Sequence, residues 1–226
     1  MVAGVLAELG AEVDFYCALG RDREGEAAAA QLEERGVRLH VAWRSEEPTR
    51  RAVTMLEDTG ERTIVTIGDR IEPLGADELH WESLREAGAV YFTAGDAEAF
   101  ANARQAGAVV ASPRGRRALG HLHGRPIDAL IFSSRDSEES HWAERLDDHA
   151  RIVVETRGAE GGIWRGESEG SWQAAPPPGP PRDSYGCGDS FAAGYTYALA
   201  GGATPAEAVA LGARCGARCL TRDGAP

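Results

Sequence analysis

The 226-residue chain has 42% hydrophobic and 27% charged residues, ordinary for a globular protein long enough to bury one sizeable core. Its net charge of −12 argues against nucleic acid as a partner, because phosphate backbones are held by excess positive charge. All 24 basic residues are Arg, which excludes a Walker A loop, since that loop needs a Lys to reach the terminal phosphates.

Val2 to Leu9 reads as a helix already under way, closed by Gly10. Val13 to Leu19 is an apolar, strand-like run, followed by a charged, Ala-rich helix from about Glu24 to Arg35 and a strand from Val37 to Trp43. Arg51 to Leu56 and Arg62 to Ile67 are rich in β-formers and flank Glu57-Asp58-Thr59-Gly60, a turn sequence, which predicts a hairpin. Alternation then resumes: a helix over Trp81 to Ala87, a strand over Ala89 to Thr93, a helix over Asp96 to Gln105 and a strand over Ala108 to Ala111. A short helix over Arg114 to Gly120 precedes strands over Ala129 to Phe132 and Arg151 to Thr156. Gly162 to Trp164 and Ser171 to Ala174 form a second antiparallel pair, and the Pro-rich stretch Pro176 to Pro181 is an extended crossover. Two helices close the chain, from about Gly188 to Leu199 and from Thr204-Pro205-Ala206-Glu207, which spells a capping box with Pro at the first helical position.

Apolar runs alternating with amphipathic stretches define the α/β class, with a central, mostly parallel sheet flanked by helices and a small β-hairpin subdomain at its edge. A single domain over residues 1–226 is expected. A parallel sheet normally opens with a central strand, whereas this chain opens in a helix, so an N-terminal strand is expected to be missing. No apolar run reaches the length of a membrane span, and the first residues lack the layout of a signal peptide. No membrane partner and a cytoplasmic location are therefore expected.

The four cysteines form no C-x-x-C, and His121-x-His123 has no Cys or acidic partner at ligand spacing, so four free thiols and no zinc site are expected. Cys215 and Cys219 share a helix face. The five Trp residues lack any stacking period and read as core or edge packing. Arg114, Arg116 and Arg117 suit contact with a phosphate or an acidic partner, but at helical spacing a solvated face is the better reading. Asp147 and Asp148 read as surface charge.

The segment that carries chemistry is Asp183 to Gly194, DSYGCGDSFAAG. Gly186 and Gly188 permit backbone angles that other residues avoid. The N–H groups of Gly186, Cys187, Gly188 and Asp189 can then converge at a helix N-terminus, where an anion is favoured. Such a cluster can stabilise the charge on a transferring phosphoryl group, and the Asp189 carboxylate at its rim can take the proton of an acceptor hydroxyl. The short string G-x-G-D by itself also fits an Asp N-cap after a Gly turn. A dinucleotide fingerprint does not fit, since Phe191 takes the third glycine position.

The longer string resembles the signature loop of the ribokinase-like (PfkB-type) carbohydrate kinases, D-T-x-G-A-G-D-x-F-x-x-G. The resemblance implies a ribokinase-like fold, with Asp189 as catalytic base and the N–H groups of Gly186, Cys187 and Gly188 as the anion hole. VVETRGAEGG, residues 153–162, resembles the family's T-x-G-x-x-G turn, which implies that Thr156, Gly158 and Gly161 line a nucleotide site; as residues alone, the two glycines equally suit a turn. Pro48 to Val65 resembles the segment bordering the family's acceptor site. GAEVDFYCALGRDREG resembles its early strand, where Asp22 and Gly25 match the ending and Asp22 by itself suits an N-cap.

Where the family carries N-x-x-E, this chain has Ser133-Ser134-Arg135-Asp136. Ser133 and Asp136 are the expected contacts to phosphate and to a hydrated Mg²⁺. The family's opening strand, with its acid and Gly-Gly pair, has no counterpart here. The resemblance implies ATP and Mg²⁺ as cofactors, with Asp183 a candidate for helping to hold K⁺. It also implies a small-molecule sugar, or alternatively a nucleoside, as substrate, and homodimer formation. A non-catalytic nucleotide- or sugar-binding regulator is the competing reading.

Overall fold

The computed structural model describes residues 1–56, 62–120 and 126–224. The turn predicted at Glu57 to Gly60, and the pair His121 and His123, lie outside the described residues.

The chain opens with helix α1 (Val2–Glu8), strand β1 (Val13–Gly20), helix α2 (Arg23–Glu33) and strand β2 (Val37–Arg44). β1 and β2 pair in parallel, from Val13 opposite Val37 to Gly20 opposite Arg44. Strands β3 (Arg51–Leu56) and β4 (Arg62–Ile67) form the anticipated antiparallel hairpin as a separate two-stranded sheet. A larger sheet follows, ordered β10-β9-β8-β7-β6-β5. Its parallel part is β5 (Val90–Phe92), β6 (Val109–Ala111), β7 (Ile127–Ser133) and β8 (Ala150–Thr156), while β9 (Gly162–Gly166) and β10 (Gly170–Trp172) join antiparallel at one edge.

The middles of the central strands, Ala129 to Phe132 in β7 and Ile152 to Val154 in β8, are unbroken apolar runs because both of their faces are covered. Successive side chains alternate between faces. Ala111, Leu130 and Val153 thus belong to a core shared with α3 (Ala97–Ala103), α4 (Arg116–Leu119) and α5 (Ser137–Leu146) through Phe100, Leu119 and Leu146. Val110, Ile131 and Val154 face the other way, onto Phe191, Tyr195 and Val209 of α6 (Cys187–Ala200) and α7 (Pro205–Cys219).

The tryptophans behave as packing residues: Trp164, Trp172, Phe191 and Tyr195 stack in series beneath the β9–β10 edge. The capping box at α7 forms as read, with Glu207 N donating to Thr204 Oγ1 and Thr204 N donating to the Glu207 carboxylate.

Three elements differ from the sequence expectation. Trp81–Glu86 is a 3-10 helix rather than an α-helix, and 114–120 divides into a 3-10 turn at Pro113–Gly115 followed by α4. Helix α5 was not anticipated. Only Ala143 and Leu146 of its ten residues are buried, so the apolar period is faint. Its readable signal was Asp136 followed by Glu138 and Glu139, an N-cap with acids in the first turn.

Candidate active site

The carboxyl ends of β5 to β8 lie along one side of the sheet, the place where ligands bind in open α/β folds. α6 begins there. Its N-cap, Gly186, holds φ +83° and ψ 2°, a left-handed conformation that a Cβ would strain. Ser190 N donates to Gly186 O at 2.8 Å, the first intrahelical bond, which leaves Gly188 N and Asp189 N at the open start of the helix. Cys187 N instead donates to Ser184 O at 3.3 Å, so this N–H takes part in the turn and is not simply presented to the opening. A Cβ built on Gly188 meets nothing within 4 Å, so this position is not glycine for packing reasons.

The loop is held to the end of α7. Arg182 N donates to Leu220 O at 2.8 Å, Tyr185 N to Asp183 Oδ1 at 2.8 Å, and Cys219 Sγ to Tyr185 O at 3.3 Å. α6 and α7 approach closely over small residues. A Cβ on Gly194 would lie 2.8 Å from Cys215 Sγ, and one on Gly212 would lie 2.8 Å from Phe191 O. The glycine that ends the motif string is thus a helix-contact residue, and it fixes where the helix start points. Cys187, Cys215 and Cys219, with Cys17 in β1, are free thiols.

Asp189 is largely buried, its side chain 16% exposed. Arg114 Nη1 stands 3.7 Å from Asp189 Oδ1, while Arg114 Nε donates to Glu139 Oε1 at 3.0 Å. The other Glu139 oxygen accepts from Ser133 N at 3.0 Å. Burial works to lower the Arg114 pKa, but the carboxylates of Glu139 and Asp189 outweigh it and raise it. Nearby, burial pushes the Tyr91 phenol up, and the Asp189 charge adds to the effect. Arg114 is exposed, as the solvated-face reading expects, and its guanidinium also meets acidic partners, Glu139 and Asp189. Sequence reasoning also missed Glu139 and Tyr91. No spacing links them to Asp189; only the ordering of β5, β6 and β7 brings them together.

On the β8–β9 side, Thr156 Oγ1 donates to Phe132 O at 3.1 Å, tying the end of β8 to β7. Gly158 (φ +62°) and Gly161 (φ +78°) bracket a 3-10 turn, and a Cβ on Gly161 would collide with Trp172 O. The turn itself therefore accounts for both glycines. Ser133 Oγ accepts from Arg135 N at 3.3 Å. Asp136 Oδ1 accepts from Glu138 N and Glu139 N, both at 3.0 Å, as the cap of α5.

Among the described residues, no group of three or more His, Cys, Asp or Glu forms a ready metal cage. Mg²⁺ carried by a polyphosphate needs only one or two protein carboxylates and keeps several waters. The second oxygen of Asp136, which has no part in the cap, fits that modest demand.

Farther along, Asp22 caps α2 through Gly25 N at 2.8 Å, and it holds Thr49 through both N (2.7 Å) and Oγ1 (2.7 Å). These bonds lower the Asp22 pKa, the backbone N–H of Thr49 contributing most. The two segments that resemble the acceptor border are thereby joined.

A parallel α/β sheet with a glycine-kinked helix start and an adjacent carboxylate at its carboxyl edge has the architecture of a phosphoryl-transfer enzyme. Residues 2–114 and 117–226 match the model of the pfkB family carbohydrate kinases, and the chain belongs to that family. Its members are phosphotransferases with an alcohol acceptor. A curated protein of Halopiger xanaduensis, described as an ATP-dependent ribose-1-phosphate kinase, is 28% identical over 239 residues, covering 99% of this chain and 79% of its own. The adenosine kinase of Sinorhizobium meliloti superposes with a TM-score of 0.77 at 18% identity, covering 100% of this chain and 77% of its own. Arabidopsis thaliana ribokinase, solved with ribose and ATP, gives 0.77 at 22% identity, covering 99% and 80%. These structures share the fold. Among the described residues no helix is long and apolar enough to cross a membrane.

Proposed function

We propose that the chain, acting as one domain over residues 1–226, transfers the γ-phosphoryl group of ATP to a hydroxyl of a small sugar. The carrying observation is the start of α6, where the positive φ of Gly186 turns the open N–H groups of Gly188 and Asp189 outward beside the Asp189 carboxylate. Asp189 accepts the proton of the acceptor hydroxyl as its oxygen attacks the γ-phosphorus, and the bond to the bridging oxygen of the departing ADP breaks. The N–H groups of Gly186, Gly188 and Asp189, with a lesser share from Cys187, offset the charge on the phosphoryl oxygens. The turn Thr156 to Gly161 and Ser133 border the nucleotide. Asp136 would hold a water-bearing Mg²⁺, which supplies charge neutralisation when bound with ATP.

A K⁺ near Asp183 would order the same loop, whose Asx turn already holds the Tyr185 amide. The exposed apolar residues Val53, Met55, Ile64, Val65 and Ile67 of the hairpin suit a homodimer contact. The curated relative named as a ribose-1-phosphate kinase supports a sugar acceptor. The adenosine kinase neighbour keeps a nucleoside as the second reading.

ATP consumption against a panel of sugars and nucleosides, with Mg²⁺ and with or without K⁺, tests the proposal. Asp189→Asn is expected to lower turnover by at least about 100-fold while ATP binding persists. Normal turnover in that variant removes Asp189 as the base. ATP binding without turnover on any acceptor favours a regulatory, non-catalytic role.

A further inference from the structure

Cys187, Cys215 and Cys219 gather where α6 meets α7, all three as thiols. Cys187 is the first residue of α6 and Cys219 the last of α7. The turn itself does not call for sulfur at 187: the residue lends it only a backbone N–H, donated to Ser184 O.

The packing of the two helices sets which thiols face each other. A Cβ on Gly194 would lie 3.0 Å from Gly212 Cα, and one on Gly216 would lie 3.8 Å from Phe191 Cβ and 3.2 Å from Cys187 O. One turn back along α6 therefore corresponds to one turn forward along α7, as in an antiparallel pair. The next turn of α7 after Gly216 brings Cys219 level with Cys187. Cys219 Sγ marks that level, since it donates to Tyr185 O at 3.3 Å, two residues before Cys187. A disulfide closes over a Cα separation of about 4.4–6.8 Å, and helices packed glycine against backbone offer that range. Cys215 is the poorer partner. Its sulfur is directed at Gly194, seven residues and so about 10 Å along α6 from Cys187. Burial also pushes the Cys215 thiol up, and Cys17 in β1 up to about 11, which leaves little attacking thiolate on either.

The two facing thiols differ in access. Cys187 is half-buried at a helix N-terminus, where a negative sulfur is favoured, and a Cβ on its neighbour Gly188 meets nothing within 4 Å. Cys219 is 3% exposed and lines a cavity of about 20 Å³ with Ser190 and Val5, which gives its sulfur room to turn away from Tyr185 O. The outer thiol meets a reagent first, and the inner one resolves the product.

We propose that Cys187 and Cys219 form a redox site, which a low-molecular-weight disulfide converts to an intramolecular disulfide that shuts the start of α6. The Cys187 thiolate attacks one sulfur of the reagent, forming a mixed disulfide and expelling one thiolate. Cys219 then gives up its proton and attacks the Cys187 sulfur, expelling the second thiolate. Two protein thiols are oxidised by two electrons, and one reagent disulfide is reduced to two thiols. The new bond draws Cys187 toward the end of α7 and removes the Cys219 bond to Tyr185 O, so the N–H groups of Gly188 and Asp189 lose their aim. The loss of activity rests on the kinase reading; the disulfide does not.

Oxidised glutathione added to the full chain, followed by alkylation and tryptic mapping, tests the pairing. Cleavage after Arg182, Arg214, Arg218 and Arg222 puts each thiol in its own peptide, 183–214, 215–218 and 219–222. The expected product links 183–214 to 219–222 and reverts with dithiothreitol. Cys219→Ser should stop at the glutathione adduct on 183–214, whereas Cys215→Ser should leave the link in place. ATP turnover should fall at least about tenfold in step with the linked fraction and return on reduction. Three results overturn the inference: no link in the folded protein at millimolar oxidised glutathione, a link to 215–218 instead, or full turnover in the linked protein. The link formed in a protein that turns over nothing preserves the redox site and removes the kinase reading.

Discussion

Gly186 and Gly188 lie two residues apart, yet the structure requires them for different reasons, and that separates a chemical role from a conformational one. Gly186 sits at φ +83°. Alanine there forces an L side chain into the left-handed region at a cost of about 1–2 kcal/mol, equivalent to a melting temperature lower by roughly 2–8 °C for a chain of this size. Gly188 is the second residue of α6, and a Cβ on it meets nothing within 4 Å. Gly188→Ala should therefore keep the fold, and it can gain up to about 1 kcal/mol of helix propensity. If the transferring phosphoryl group lies against the Gly188 N–H, the new methyl crowds it. Loss of one such donor costs about 10²–10³ in turnover. Coupled ATP-consumption kinetics and calorimetric melting of both variants provide the assay. Gly188→Ala with wild-type turnover and unaltered KM for ATP would refute the anion hole and reduce the segment to a turn before a helix.

Two further predictions concern stability and reactivity. Arg44 meets Asp77 through two bonds of 2.7 Å, both side chains less than 20% exposed, and that contact chiefly lowers the Asp77 pKa. A depressed carboxylate contributes stability that is present above about pH 4 and is lost as pH falls through the folded value. Asp77→Asn should thus cost about 2 kcal/mol at pH 7 and progressively less below pH 4; a pH-independent difference in denaturant unfolding would contradict it. Burial pushes the Cys17 thiol up to about 11. About one molecule in a thousand then carries the thiolate at pH 8, so alkylation at Cys17 should be slow in the folded protein and should accelerate on unfolding.

Much of the fold was legible because its signals are local. Thr204-Pro205-Ala206-Glu207 supplies its own cap bonds wherever the helix packs, and the runs at 127–133 and 150–156 are apolar enough to be strands on any sheet buried on both faces. The loop at 183–194 was legible for the same reason, since its glycine, acid and helix start are contiguous. Helix α5 was obscure because it buries only two side chains, and 81–86 tightened to a 3-10 helix where Tyr16 stacks on Trp81 and donates to His80 O.

From its sequence alone, this protein determined its α/β class, its hairpin, its helix caps and the loop in which a carboxylate adjoins a helix start. Only the tertiary structure decided that Arg114 reaches from the end of β6 to Asp189, that Glu139 holds it there, and that Arg70, Arg116 and Arg117 gather around one cleft. The physical reason is range. Caps and strand runs depend on neighbours a few residues away, whereas Arg70 and Arg114 are placed by parallel strand order and by contacts to carbonyls and carboxylates 23 to 75 positions distant along the chain.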